Sequence, residues 1–131
     1  MSSLTDALLV PIKIKNPFNE RIFPKTGAVY GYIDTGYMGF LIIPQEIYSN
    51  LKFDELKQYH YELHLPNGEH IDTRGTYGLL IFTDIGYEEE GFIETSNEIK
   101  EIILGLKALN AYEVIFDFCK KELHLKKCIY G

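Results

Sequence analysis

The sequence lacks the features that define nucleic-acid-binding and disulfide-stabilised proteins. Its 131 residues contain 13 Lys and Arg against 19 Asp and Glu, and the basic residues cluster only in pairs. Nucleic-acid binding normally requires a basic patch, so we expect no nucleic-acid partner. The two cysteines, Cys119 and Cys128, fit neither a disulfide framework nor a zinc site. We expect them to be small, buried or half-buried thiols that do not face each other.

Long apolar segments are also missing. The run from Phe40 to Ile43 is far too short to span a bilayer. Residues 1–9 have neither the basic start nor the apolar stretch of a secretion signal. We therefore expect a soluble, cytoplasmic protein without a membrane partner, and the length fits a single domain over residues 1–131.

The chain is rich in residues that favour strands. Hydrophobic residues make up 46% of the chain, and Tyr, Phe, Ile, Val and Thr recur in short runs. Pro44 is typical of the first position of a helix, which we expect to end near Leu51. The alternating or continuous apolar runs predict strands over residues 8–15, 28–33, 40–43, 61–65, 71–82, 92–95, 113–118 and 122–129.

Two polar segments predict turns. Asn67-Gly68 between two strand-like runs is a strong hairpin signal, and a two-residue turn there would place His64 opposite Ile71. Residues 86–90 predict a second turn, in which Glu88, Glu89 and Glu90 form a solvated loop.

Residues 97–112 have two interpretations. Apolar residues recur at helical spacing after a possible capping box, which favours one amphipathic helix. The alternative is a buried strand over residues 101–104, then Gly105, then a short helix from Leu106. Periodicity alone does not decide between them.

The segment that carries chemistry is Asp34-Thr35-Gly36 at the end of an apolar strand. A strand end can hold the Asp34 carboxylate rigidly, Thr35 can hydrogen-bond the surrounding loop, and Gly36 permits a tight turn. One carboxylate cannot activate a water and protonate a substrate carbonyl at the same time. Two carboxylates about 3 Å apart can, because they share one proton.

The second carboxylate must come from another copy of the chain. Asp72-Thr73 repeats the first two residues of the motif, but Arg74 replaces the glycine. We see no duplicated lobe, so a twofold-related partner would have to supply the second Asp34.

The surroundings of this motif resemble the retroviral-type (retropepsin-like) aspartic proteases. The similar features are Tyr32 to Gly36, the apolar run after it, the Asn67-Gly68 hairpin, Ile102 to Gly105 with the segment that follows, and Val114 to Phe118. The resemblance favours the strand-then-helix interpretation of residues 101–112. It implies an all-β, barrel-like lobe with one or two short helices, acting as a homodimer whose termini help to form the interface.

The resemblance also implies roles for individual residues in hydrolysing a peptide or protein substrate. Asp34 would be catalytic, Thr35 and Gly36 would support its loop, and no cofactor or metal would be needed. Gly36 and a flap hairpin would bind substrate, and Leu104 and Gly105 would pack beside the catalytic loop. The flap residues are Pro66, Asn67, Gly68 and Glu69.

The chain departs from the family pattern at three places. Tyr37 follows the glycine where the family usually has Ala or Ser, and the flap tip is not glycine-rich. Leu106-Lys107 stands where viral relatives carry a bracing arginine. These departures motivate an alternative, a catalytically inactive dimeric peptide-binding or scaffolding module with the same fold. The helical spacing of residues 99–109 motivates another, an unrelated α+β interaction protein.

Other polar and aromatic residues have simpler interpretations. His60, Glu62 and His64 alternate on one strand face, with His70 nearby, but the predicted register would place His70 on the other face and split a metal site. Asp117 is typical of a structural aspartate at a strand end. The aromatic rings of Tyr30, Tyr32 and Tyr37 favour core or interface packing over a substrate platform.

Overall fold

A computed structural model describes residues 8–64 and 67–129 of the chain. The predicted all-β architecture with one or two short helices is confirmed, and strands account for 52% of the described residues. Among the described residues, no helix is both long and apolar enough to cross a membrane. The strands are β1 (Leu9–Asn16), β2 (Arg21–Phe23), β3 (Val29–Ile33), β4 (Leu41–Pro44), β5 (Tyr59–His64), β6 (His70–Phe82), β7 (Tyr87–Ser96), β8 (Ile103–Leu104), β9 (Tyr112–Asp117) and β10 (Glu122–Lys127). The helices are α1 (Gln45–Asn50) and α2 (Leu106–Leu109), with a 3₁₀ turn at Phe53–Glu55.

Eight strands form one sheet that closes on itself. Their order is β2-β1-β3-β8-β4-β7-β6-β5, and β1 also pairs with β6. Six strands therefore form a barrel, which removes most open edges. The strands β9 and β10 form a separate two-stranded hairpin.

Strand β1 shows how the sequence selects the barrel interior. Its residues alternate strictly between half-buried and buried, with Ile12 and Ile14 fully enclosed and Lys13 and Lys15 less buried. Asn16 is also buried, and its side-chain amide donates to the Leu51 carbonyl over 2.9 Å. The buried Asn16 amide thus has a hydrogen-bond partner, which is expected because a buried polar group without a partner lowers stability.

Strand β4 lies between β8 and β7 and is buried on both faces. Leu41, Ile42 and Ile43 are each at most 1% exposed, which explains a continuous apolar run in place of an alternating one. The sequence predicted that Pro44 begins the helix, and this prediction is wrong. It has extended backbone angles and pairs with Ser96, so α1 begins one residue later.

The ambiguous segment is a strand followed by a helix. β8 covers only Ile103 and Leu104, and α2 begins directly after Gly105. The prediction drawn from the family resemblance is therefore confirmed, and the single long helix is wrong. Of the apolar residues at helical spacing, Ile102 and Leu109 reach the core from different local structures, whereas Leu106 is exposed.

Two expectations about the last third of the chain are wrong. Cys119 and Cys128 are free and exposed, since Cys119 lies in the turn after β9 and Cys128 follows β10. Residues 88–90 belong to β7 and not to a loop. Asp117 does act as a structural aspartate, because its carboxylate accepts hydrogen bonds from the backbone of Cys119 and Lys120.

Candidate active site

The loop after β3 holds Asp34 through its backbone and its side chain. The Asp34 amide donates to the Leu104 carbonyl over 3.0 Å, and the Tyr37 amide donates to the Asp34 carbonyl over 3.1 Å. The carboxylate itself accepts a 2.9 Å hydrogen bond from the Gly36 amide. Asp34, Thr35 and Gly36 are all exposed. The carboxylate is therefore fixed at its base and open to solvent.

Strand β8 fixes this loop from the other side. It pairs in parallel with β3 and antiparallel with β4, so it lies between the strands on either side of the loop. The Gly105 amide then donates to Phe40, and the Leu106 amide donates to Tyr37. Leu104 and Gly105 thus pack against the loop that carries Asp34, at the place that the family resemblance implied.

Gly105 is a position where a side chain cannot fit against the backbone of this loop. A Cβ on this residue would collide with the backbone carbonyl of Gly39 and would lie 2.6 Å from that of Tyr37. Both contacts are with backbone atoms, which cannot move aside as a flexible side chain can. Close approach of two backbone segments is a specific use of glycine.

Tyr37 is buried, and its hydroxyl group donates a hydrogen bond to the Glu94 carboxylate of β7. The other Glu94 oxygen accepts a 2.7 Å hydrogen bond from the Thr73 hydroxyl of β6. Burial raises the pKa of Tyr37 far above its ordinary value, and the charge and hydrogen bond of Glu94 add to the effect. Tyr37 therefore remains a neutral donor that connects the loop after β3 to β7.

Glu94 is a site residue that the sequence did not reveal. It is only 8% exposed and lies in a stretch of four buried residues at the end of β7. A carboxylate is rarely buried without partners. The available signal was a glutamate inside an apolar strand run, but its partners are distant in sequence.

Asp34 and Gly36 border a mostly apolar cavity of about 170 Å³. Its other walls come from β4, β6 and β8 and from the end of β5. An adjoining, more polar cavity of about 480 Å³ shares Gly36, Tyr37, Leu63 and His64 with it and extends to Tyr61, Phe92, Glu94 and Lys107. The apolar walls of the first cavity are Ile42, Leu63, Ile71, Ile99 and Ile103. The carboxylate therefore lies at the border of a space that can accept apolar side chains.

The predicted flap is the end of the β5–β6 hairpin. Asn67, Gly68 and Glu69 form an exposed turn in which the Asn67 side chain accepts a hydrogen bond from the Glu69 amide. Pro66 lies outside the described residues. Both cavities are lined by Leu63 and His64, which precede the turn.

The predicted register of this hairpin is wrong. His64 pairs with His70 in place of Ile71, and Leu63 pairs with Ile71, so the pairing is shifted by one residue from the prediction. His64 and His70 consequently share one face with Glu62, and the ligand atoms of the three residues lie within 4.8 Å of one another. His60 pairs with Arg74 further along the hairpin and does not join this group.

Comparison with known proteins identifies one clear relative. A protein of Archaeoglobus fulgidus, described as uncharacterized, is 34% identical over 120 residues, which is 92% of this chain and 94% of the archaeal one. The chain belongs to the same family as this archaeal protein. No family model matches the sequence.

A solved structure shows the same fold. It is a retropepsin-like aspartic protease from Rickettsia conorii, with a TM-score of 0.56 and 16% sequence identity over 90% of this chain and 88% of that one. The chain therefore has a retropepsin-like fold. At this identity the likeness extends to the fold and not to the activity.

Proposed function

We propose that this protein is an aspartic endopeptidase, active as a homodimer, that hydrolyses peptide bonds. The observation that carries the proposal is the position of Asp34. Its carboxylate is exposed on a loop fixed by β8, at the border of an apolar cavity, within a retropepsin-like fold. A fixed carboxylate beside an apolar cleft is a suitable catalytic acid or base.

The proposed chemistry needs two copies of Asp34. One carboxylate takes a proton from a water molecule, whose oxygen attacks the carbonyl carbon of the peptide. The other, protonated, carboxyl group donates its proton to the carbonyl oxygen. Collapse of the resulting tetrahedral intermediate transfers a proton to the leaving nitrogen and breaks the C–N bond. The reaction uses neither a metal nor a covalent intermediate.

Two other aspartates among the described residues, Asp72 and Asp117, are poorly placed to be the second acid. The Asp117 carboxylate caps the turn after β9. Asp72 is exposed on β6, opposite Glu62. A twofold-related Asp34 would supply the required symmetry, because each copy would present the same loop to the other.

The cavities suggest how a substrate binds. An extended peptide would lie beneath the β5–β6 hairpin, with an apolar side chain in the cavity formed by Ile42, Ile71 and Ile103. Closure of the hairpin over the peptide would exclude water other than the attacking one. Gly36 would contact the peptide backbone, and the flap residues would cover it.

The test is cleavage of a mixed peptide library from about pH 3 to about pH 7. Wild type is compared with Asp34→Asn at matched dimer concentration. Asp72→Asn is the matched control, because it removes an exposed aspartate followed by threonine from the same barrel. We expect wild type and Asp72→Asn to cleave, and Asp34→Asn to be inactive.

Each other outcome has a defined meaning. Cleavage by Asp34→Asn would exclude the proposed mechanism. If all three proteins are folded dimers that bind peptides without cleaving them, the protein is the inactive peptide-binding module. A wild-type protein that stays monomeric at every working concentration would also overturn the proposal.

A further inference from the structure

We propose that the β5–β6 hairpin carries a divalent metal site formed by Glu62, His64 and His70, with Zn²⁺ as its preferred ion. The three ligand atoms lie within 4.8 Å of one another. The inference is independent of the proposed function, since binding can be measured without a substrate.

The strand pairing brings the three side chains together. His64 and His70 are directly opposite each other across the hairpin, with ring centroids 5.7 Å apart. Glu62 is two residues before His64 and therefore projects from the same face of β5. The grouping of the three side chains depends on the backbone register. A two-residue turn at Asn67-Gly68 would have placed His70 on the opposite face from Glu62 and His64.

The distances are close to those of a bound ion. One Glu62 oxygen lies 3.0 Å from His70 Nε2, and the other lies 3.4 Å from His64 Nε2. Tetrahedral Zn²⁺ with ligand bonds of about 2.0–2.2 Å places neighbouring ligand atoms about 3.3 Å apart. All three side chains are about half exposed or more. Small rotamer changes would therefore complete the site, and an ion can reach it from solvent.

The ligand types select the metal. Two imidazole nitrogens and one carboxylate suit Zn²⁺, whereas Mg²⁺ and Ca²⁺ prefer sites made of oxygen atoms. Three protein ligands leave a fourth position for water or another group. His64 also lines both cavities beside the catalytic loop. A bound ion would clamp β5 to β6 at the point where the hairpin meets the substrate space.

The chain contains its own comparison group. Glu122 and His124 have the same spacing on β10 as Glu62 and His64 on β5, with the same 3.4 Å separation between Oε1 and Nε2. The opposing residue there is Ile115, so the second imidazole is missing. If the group on β5 were only an exposed Glu–His contact, Zn²⁺ would affect His64 and His124 alike.

The first experiment is a titration with Zn²⁺ alone, followed by NMR of the histidine ring protons. The chain has four histidines, and the titration uses tag-free protein with Cys119→Ser and Cys128→Ser, because exposed thiols also bind zinc. We expect one equivalent to bind, with the His64 and His70 signals changing together and those of His60 and His124 unchanged. Equal changes at all four histidines, or no binding at millimolar Zn²⁺, would overturn the proposal.

The second experiment compares variants by calorimetry. We expect His70→Gln to weaken Zn²⁺ binding by at least about tenfold, and His64→Gln to act similarly. His124→Gln, which alters the comparison group, should retain wild-type affinity. All three substitutions are on exposed positions, and circular dichroism checks that each variant folds. Wild-type affinity in both His64→Gln and His70→Gln would exclude the site.

Discussion

Tyr37 shows how one bulky residue can follow Asp34-Thr35-Gly36 without disrupting the loop. Its ring is buried, and its hydroxyl group is used as a hydrogen-bond donor to Glu94. The second Glu94 oxygen is bonded to Thr73. Three side chains from the loop, β6 and β7 thus form one buried polar group. Such a group stabilises a structure only when every member is satisfied.

Removing the Tyr37 hydroxyl group should therefore destabilise the protein. In Tyr37→Phe the buried Glu94 carboxylate loses one of its two hydrogen-bond donors. We expect the free energy of unfolding to fall by about 1–3 kcal/mol, measured by urea denaturation near neutral pH. Tyr30→Phe is the control, because Tyr30 is 60% exposed and should change stability by less than about 0.5 kcal/mol. Equal stability of Tyr37→Phe and wild type would contradict the role assigned to this hydrogen bond.

At the scale of elements, a cluster around Glu89 connects the hairpin of β9 and β10, called the terminal hairpin below, to the barrel. Its carboxylate accepts hydrogen bonds from the Tyr112 hydroxyl of β9 and from Lys127 Nζ of β10, the latter over 2.6 Å. The Lys127 ammonium also lies 4.9 Å from the centre of the Tyr112 ring, which packs edge-on against Phe82. Both strands of the hairpin are therefore connected to β7 through a single side chain.

This cluster predicts a dependence of stability on pH. Burial alone would raise the pKa of Glu89, but the hydrogen bonds from Lys127 and Tyr112 outweigh it and hold the pKa below its ordinary value. A carboxyl group with a lowered pKa in the folded state stabilises the protein above the unfolded pKa, near about 4.3. That contribution is lost as the pH falls through the lowered value.

Glu89→Gln tests this linkage. Near neutral pH we expect the variant to be less stable than wild type by about 1 kcal/mol, since the ion pair is partly exposed. The difference should shrink as the pH falls below about 4, where wild type also loses the charge. Glu88→Gln changes an exposed neighbour in the same run and should show neither effect. A difference between Glu89→Gln and wild type that stays constant with pH would contradict the assignment.

Local sequence patterns predicted the elements whose packing is local. The alternation in β1 and the apolar run in β4 each indicated a strand, because burial on one or both faces leaves a direct pattern. The short β8 could not be predicted from periodicity, since two residues and the following helix together imitate a helical repeat. The family resemblance was needed to choose between the two interpretations.

Features that depend on distant strands were missed for a physical reason. Asn67-Gly68 indicated a hairpin, but the pairing of His64 with His70 shifted the register and brought the Glu62 group together. The partners of Glu94 and Glu89 come from strands far away in sequence. Asp34, in contrast, can be proposed from the sequence alone, because a strand end, a hydroxyl residue and a glycine are consecutive.

At the scale of the whole molecule, the terminal hairpin exposes an apolar surface. Four large apolar side chains of this region are at least one third exposed, although the hairpin is attached to the barrel. An exposed apolar patch on a folded protein is typical of a surface that another molecule covers. The exposed residues are Val114, Ile115, Phe118 and Ile129. Val114 and Ile115 project from opposite faces of β9, and the proposed homodimer would cover the face that carries Ile115.

The proposed dimer can be tested through Ile115. This side chain is 52% exposed in the middle of β9, so a charge there should alter the surface without disturbing the core. We expect wild type to sediment as a dimer and Ile115→Glu to shift toward monomer by at least about tenfold in dissociation constant, because the buried charge would lack a partner. Phe18→Glu is the matched control, since Phe18 is 76% exposed in the turn between β1 and β2.

The catalytic activity should depend on the same equilibrium between monomer and dimer. Because each active site would need Asp34 from two copies, the activity of Ile115→Glu at low concentration should fall with the fraction of dimer and recover as the protein is concentrated. Phe18→Glu should match wild type throughout. Activity that is proportional to chain concentration while Ile115→Glu sediments as a monomer would show that one copy suffices, and the shared-carboxylate mechanism would then be excluded.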